Sequence, residues 1–296
     1  MNGSDFAPWV HEGKGTPPEV RWNTAVDGRL VALAMWREAG IVVAADETGT
    51  LTAFDRGGRV HELRRGWPNV SRLAWADAAG TGAVIQQRTL VTRLDAALRE
   101  LWTIEFPTPV LDVALTPYGQ LMAVSLEDRS VLLIGPQRQK IAEFDAAQPL
   151  HHLRFVPERP VMVGAADQGL LAAFGLDGTE YFRERLLTVV GDLCVTGDGG
   201  MIVIAGHNHG VQIFDENGQN IALYAVDGTV HRVATGYTGE RLAAATLERQ
   251  LYWADEDGQL IWATRVDQPV VALVADPLAE WLVCGLQDGT IVRLDW

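Results

Sequence analysis

The sequence predicts an all-β protein: a seven-bladed β-propeller of four-stranded antiparallel blades, with the ring closed by the N-terminal strand completing the last blade. Three observations predict it. First, Leu30, Val70, Val110, Leu150, Val190, Val230 and Val270 recur 40 residues apart without insertion or deletion. Two further apolar columns keep step, one through Leu33, Leu73, Val113, Leu153, Leu193, Val233 and Leu273, the other through Leu51, Val91, Val131, Leu171, Val211, Leu251 and Ile291. A fixed period of this length marks a repeat architecture. Second, each period divides into four short apolar runs. Third, the two ends of the chain complement one another.

The unit from Pro109 to Phe144 shows the division. Val110 to Leu115 is an apolar run ended by the turn Thr116 to Gly119, and Leu121 to Ser125 is a second run closed by Glu127 to Arg129. Ser130 to Ile134 and Lys140 to Phe144 follow, separated by Gly135 and Pro136. Runs of about five residues, rich in Val, Leu and Ile and split by Gly, Pro and Asp, are strands of an antiparallel meander. No segment keeps a helical period. Small residues in the second strand, such as Val43 to Ala45, Ala165 and Ala166, and Ala243 to Ala245, suit crowding near a ring axis. The last unit stops after its third strand, Thr290 to Trp296. Val20 to Val26 lies in register with the fourth strands of other units, since Trp22, Trp102 and Trp262 share one repeat column. That segment is expected to complete the last blade and close the ring. Residues 1–16 then form a tail and residues 17–296 a single propeller domain. The tail carries Phe6, Pro8, Trp9 and Val10. Terminal disorder is the expectation for it, with docking onto the ring or a partner as the alternative.

Composition narrows the function classes. The formal charge is 24 − 38 = −14, which repels phosphate backbones and argues against nucleic acid as a partner. The N-terminus lacks a basic and then apolar leader, no stretch is long and apolar enough to span a bilayer, and Cys194 and Cys284 lie in strand-like runs. A cytoplasmic protein with two buried thiols is expected.

Gln287 to Trp296 resembles the third strand of a WD-repeat blade, and Val110 to Gly119 resembles its innermost strand and turn. Asp255 to Trp262 is more similar to quinoprotein-type repeats. The resemblance covers residues 19–296 and implies the propeller fold, and it departs from both groups. The Gly-His dipeptide of WD repeats is missing, and Gly135 and Gly175 stand where Asp55, Asp95, Asp215, Asp255 and Asp295 end the third strand elsewhere. No adjacent cysteines are present, so no quinone is implied, and no cofactor is expected.

Candidate function lies at one end of the ring, here called the top, where the turns between second and third strands meet the turns leading into the innermost strands. Glu47, Arg88, Asp128, Arg129, Asp167, His207, His209, Arg249 and Asp288 belong to the first set, and Asp27, Trp67, Asp227 and Asp267 to the second. Charge mixed with an exposed aromatic is the composition of a partner-binding face. Trp67, Glu47, Arg88, Arg129, Asp167, Arg249 and Asp288 are the candidate contacts for a protein or peptide, with Trp67 as the anchor. Just inside the mouth, one column reads Ala32, Arg72, Asp112, His152, Asp192, Arg232, Ala272. Pairing between neighbouring blades is expected to satisfy these charges; a polar channel site for a small ion or metabolite is the alternative. His151, His152, His207, His209 and His231 fall in one sector, which makes His151, His207, His209 and His231 candidate metal ligands. No nucleophile elbow, phosphate loop or zinc-protease motif occurs. The connections are minimal, unlike catalytic lids. A non-catalytic interaction module or scaffold subunit is therefore expected, with a small-molecule- or metal-binding propeller, possibly enzymatic, as the alternative.

Overall fold

A computed structural model describes residues 7–296. Seven blades stand around a central channel. Blade 1 comprises Leu30–Trp36, Ile41–Asp46, Thr50–Phe54 and Val60–Arg65, and each later blade repeats the meander 40 residues on, ending with Val270–Ala275, Trp281–Leu286 and Thr290–Asp295 in blade 7. The N-terminal strand Glu19–Ala25 pairs antiparallel with Thr290–Asp295, as the repeat columns predict, with Trp22 opposite Arg293 and Thr24 opposite Ile291. Among the described residues no helix is long and apolar enough to cross a membrane.

Each apolar column has a place in this arrangement. The core consists of seven layers, one between each pair of consecutive blades, including one joining blade 7 to blade 1 through Val283, Ile291, Leu30 and Phe54. Leu51, Val91, Val131, Leu171, Val211, Leu251 and Ile291 are all fully buried. A period that never slips is what identical blade-to-blade packing requires, since one inserted residue would turn every following side chain to the wrong face. Cys194 and Cys284 are buried free thiols, and burial pushes both up to about 12. The Asp ending most third strands holds the turn that follows. Asp215 Oδ1, for example, accepts the backbone N–H groups of Asn217 at 2.9 Å and Gln219 at 2.8 Å.

The described part of the tail, residues 7–16, departs from the expected disorder; Phe6 lies outside the described residues. Pro8–Val10 forms one 3-10 turn, Trp9 is 3% exposed, and Thr264 Oγ1 donates to the carbonyl of Trp9. Lys14–Gly15 then adds a fifth strand to blade 6, with Gly15 opposite Trp262. Only glycine fits there: its φ is +93° and a Cβ would stand 2.1 Å from the Ile261 carbonyl oxygen. The physical reason for docking is a missing hairpin. Trp22 and Trp102 donate from Nε1 to the carbonyls of Arg56 and Pro136, in the turn after the third strand of the next blade. Blade 7 offers Trp262 no such hairpin, and the tail fills the space. Trp9 lies 6.4 Å from Trp262, and Trp296 packs edge-on to Trp262 at 5.7 Å and stacked on Trp253 at 4.7 Å.

Candidate functional site

The channel mouth is built by a repeated irregularity. In six blades the innermost strand shifts register after its first residue, for example between Val110 and Asp112 and between Val230 and Arg232. Such a bulge re-aims the side chain that follows it. Blade 4 reaches the same column without a shift, His152 pairing directly with Ala165. The opposite residues on the second strands are mostly small, such as Ala45, Ser125, Ala165, Ala205, Ala245 and Gly285. The innermost strands of all seven blades line a cavity of about 260 Å³.

The structure brings Arg72, Asp112, His152, Asp192 and Arg232 together around that cavity, and adds Arg154 from one turn of the pleat deeper. Asp112 and Asp192 staple adjacent blades. Asp112 Oδ2 accepts Leu153 N–H at 2.7 Å, and Asp192 Oδ2 accepts Val233 N–H at 3.4 Å. Arg154 bridges the two carboxylates, at 3.4 Å from Asp112 and 3.3 Å from Asp192. Burial opposes its charge, but these two neighbours prevail and raise its pKa. Arg72 stands 3.9 Å from Asp112. Arg232 differs from the expected blade-to-blade pairing: it donates to the carbonyls of Val271 at 2.6 Å, His231 at 2.7 Å and Gly191 at 3.2 Å, and to no carboxylate among the described residues. Arg154 escapes a reading of the mouth column because it sits two positions on. Its own column does carry a signal, a lone charge among Ala34, Ala74, Ala114, Cys194, Ala234 and Val274.

At the bottom end, Arg37 of blade 1 reaches Asp77 of blade 2 at 3.6 Å and the Thr235 carbonyl of blade 6 at 3.5 Å, with its guanidinium over the Tyr237 ring. This group lies across the lower mouth, and burial raises the pKa of the Tyr237 hydroxyl.

The histidine sector does not assemble into a metal site. Among the described residues no group of three or more His, Cys, Asp or Glu is placed to hold an ion. His231 is buried with Nδ1 3.1 Å from the Ala245 carbonyl and Nε2 2.8 Å from that of Val270, so both ring nitrogens face backbone carbonyls and the neutral ring donates to one of them. Burial lowers its pKa, and Arg232 adds to that. His151 and His152 both approach Asp167, at 3.7 and 3.4 Å. Partial burial works against ionisation of Asp167, but His152, His151 and Arg72 prevail and lower its pKa. His207 instead covers Gly191, and His209 is an exposed turn residue.

On the top face, Glu47, Arg88, Arg129 and Asp288 are exposed, while Asp167 and Arg249 are half-buried. Arg249 donates to the Asp267 carbonyl at 2.7 Å and Asp27 pairs with Arg65 at 3.2 Å. Asp128 caps its own turn through Ser130 N–H, and the Asp227 carbonyl accepts the Tyr252 hydroxyl. Trp67 is not the exposed anchor expected. It is half-buried against the layer between blades 1 and 2, and its Nε1 is buried without a partner. The exposed apolar side chains of this end are instead Leu187 (83% exposed), Val189 (44%) and Leu247 (56%). Leu187 and Val189 belong to the turn entering blade 5, where Leu186, Thr188 and Val190 alternate inward. The arginines stand on unusual backbone: φ is +67° at Arg88, +80° at Arg129 and +70° at Arg249. Gly49, Gly169 and Gly289 occupy the repeat position of Arg129 and Arg249 in blades 1, 4 and 7.

Neither a protein-family model nor a curated protein matches the chain.

Proposed function

We propose that this protein is a non-catalytic interaction module, a propeller of the WD-repeat-like or quinoprotein-like repeat group, that binds a protein or peptide partner through its top face. One observation carries the reading. Arg129 and Arg249 occupy left-handed backbone where sister blades place glycine, at a cost of about 1 kcal/mol each. They do so at the end that also exposes Leu187, Val189 and Leu247. Arg129 is exposed, and strain there without a packing gain points to a role for its side chain, whereas Arg249 also donates to the Asp267 carbonyl. Basic side chains beside exposed apolar ones on an otherwise acidic surface suit a partner that presents acidic and apolar residues together. The compact turns, with no insertion in any blade, favour binding over catalysis.

The test is affinity purification from the source organism with the wild type and with a Leu187→Glu/Val189→Glu variant, read by mass spectrometry and size exclusion. A partner recovered in fixed stoichiometry with the wild type and lost with the variant, at unchanged melting temperature, is the expected result. Equal recovery by both proteins removes the top face from consideration.

A further inference from the structure

The charges that line the channel do not balance among themselves. Arg37, Arg72, Arg154 and Arg232 line the cavity with Asp77, Asp112 and Asp192, four guanidiniums against three carboxylates. This local excess of positive charge sits inside a chain whose formal charge is −14. Arg37 is taken by Asp77, and Arg154 by both Asp112 and Asp192. Arg72 has Asp112 at a long 3.9 Å and Asp167, outside the cavity lining, as its acidic neighbours. Arg232 is left with backbone carbonyls alone, which orient its guanidinium through Nε and Nη1 without neutralising it. Burial lowers the pKa of Arg232, Asp192 opposes the shift, and Arg72 and Arg154 add to it. A half-buried cation held against two others gains from a further counter-ion.

The wall between the two under-paired arginines is open. Following the mouth column from blade 6 to blade 2 gives Arg232, Ala272, Ala32, Arg72, so methyl groups line the arc that the guanidiniums flank. The cavity of about 260 Å³ has room for about nine waters at their liquid volume. We propose that the channel binds a small oxyanion, a carboxylate or phosphate group, between Arg232 and Arg72 against the Ala272 and Ala32 wall. Arginine suits this chemistry because its planar fork matches two oxygens of either group. A cation is disfavoured there, since Asp112 and Asp192 already accept backbone amides and Arg154. The site stands apart from the top-face reading and does not depend on it.

Thermal unfolding and calorimetric titration of the full chain test the proposal, with inorganic phosphate and malonate as probes and ionic strength held constant with chloride. At least one probe is expected to raise the melting temperature saturably with one site per chain. Arg72→Gln, a half-exposed side chain whose single ion pair is long, is expected to keep the ligand-free melting temperature and weaken binding at least tenfold. Ala272→Leu, which fills the open wall, is expected to abolish binding as well. A response to phosphate alone identifies a phosphate-bearing ligand, and a response to malonate alone identifies a carboxylate. No saturable response to either, or equal affinity in wild type and both variants, overturns the site.

Discussion

Replacing Asp112 separates the two roles that its carboxylate plays. The residue is 5% exposed; Oδ2 accepts Leu153 N–H at 2.7 Å and Arg154 at 3.4 Å, and Oδ1 faces Arg72. Asp112→Ala strands a buried amide and removes one of two carboxylates from Arg154. Removing one partner of a buried ion pair costs about 3–5 kcal/mol. Asp112→Asn keeps an acceptor for Leu153 N–H and loses only the charge, the part worth about 1–2 kcal/mol in a charge-assisted hydrogen bond. At this chain length a kcal/mol corresponds to about 2 °C in melting temperature. The Ala variant is therefore expected about 6–10 °C below wild type and the Asn variant about 2–4 °C below it, by calorimetry at neutral pH. Equal losses would show that the amide contact contributes nothing beyond the charge. No loss in either variant would refute the inter-blade staple altogether.

Trp9→Ala is expected to cost up to about 3 kcal/mol in urea unfolding and to expose residues 7–16 to protease while the ring stays intact; unchanged cleavage would mean that the tail does not depend on the indole. Arg93 is 4% exposed, donates to Thr81 Oγ1 and the Gly119 carbonyl, and has its pKa lowered by burial to about 10. Arg93→Met is expected to match or exceed wild-type stability and to exceed Arg93→Ala by about 2 kcal/mol, measured by urea midpoints. His231 has a folded-state pKa below its unfolded value, so the folded state binds fewer protons. Its contribution is present above about pH 6.5 and is lost as the pH falls below that value. His231→Gln is expected to flatten the decline in melting temperature between about pH 7.5 and 5.5, and an unchanged slope would assign the decline to other groups.

The framework was legible because its determinants are periodic. Leu51 and its six equivalents each meet the same neighbour surface, so the sequence repeats what the geometry repeats. The closing strand was legible for the same reason, since Trp22 shares a column with Trp102 and Trp262. What escaped lies off the period. Trp9 docks because blade 7 lacks the hairpin that would otherwise cover Trp262, a deficit seen only once the blades are assembled. Trp67 reads as a loop aromatic, yet the chain folds its ring against the layer between blades 1 and 2. Leu186 to Val190 reads as one apolar run, and only the structure shows Leu187 and Val189 alternating outward. The histidines share a sector, as their spacing indicates, but spacing carries no information on ring direction, and His231 turns both nitrogens to carbonyls.

The asymmetry of the mouth column distinguishes chemistry from architecture. Columns that serve packing are uniform around the ring: Leu33 and its equivalents are Leu or Val in every blade. If the carboxylate staple were a requirement of the fold, every blade would carry it. Only Asp112 and Asp192 do, linking blade 3 to 4 and blade 5 to 6. The other blades close with alanine, histidine or arginine in that position and still bury complete apolar layers between them. Blade closure therefore does not dictate the charges. Buried charges are costly to keep, and here they are concentrated where the side chains of one column converge, with small residues left on the remaining arc. The stabilising part of this arrangement is the pair of staples. Arg232 also ties blade 6 to blades 5 and 7 through the carbonyls of Gly191 and Val271; what those contacts leave over is its charge, and an anion is the chemistry that complements it.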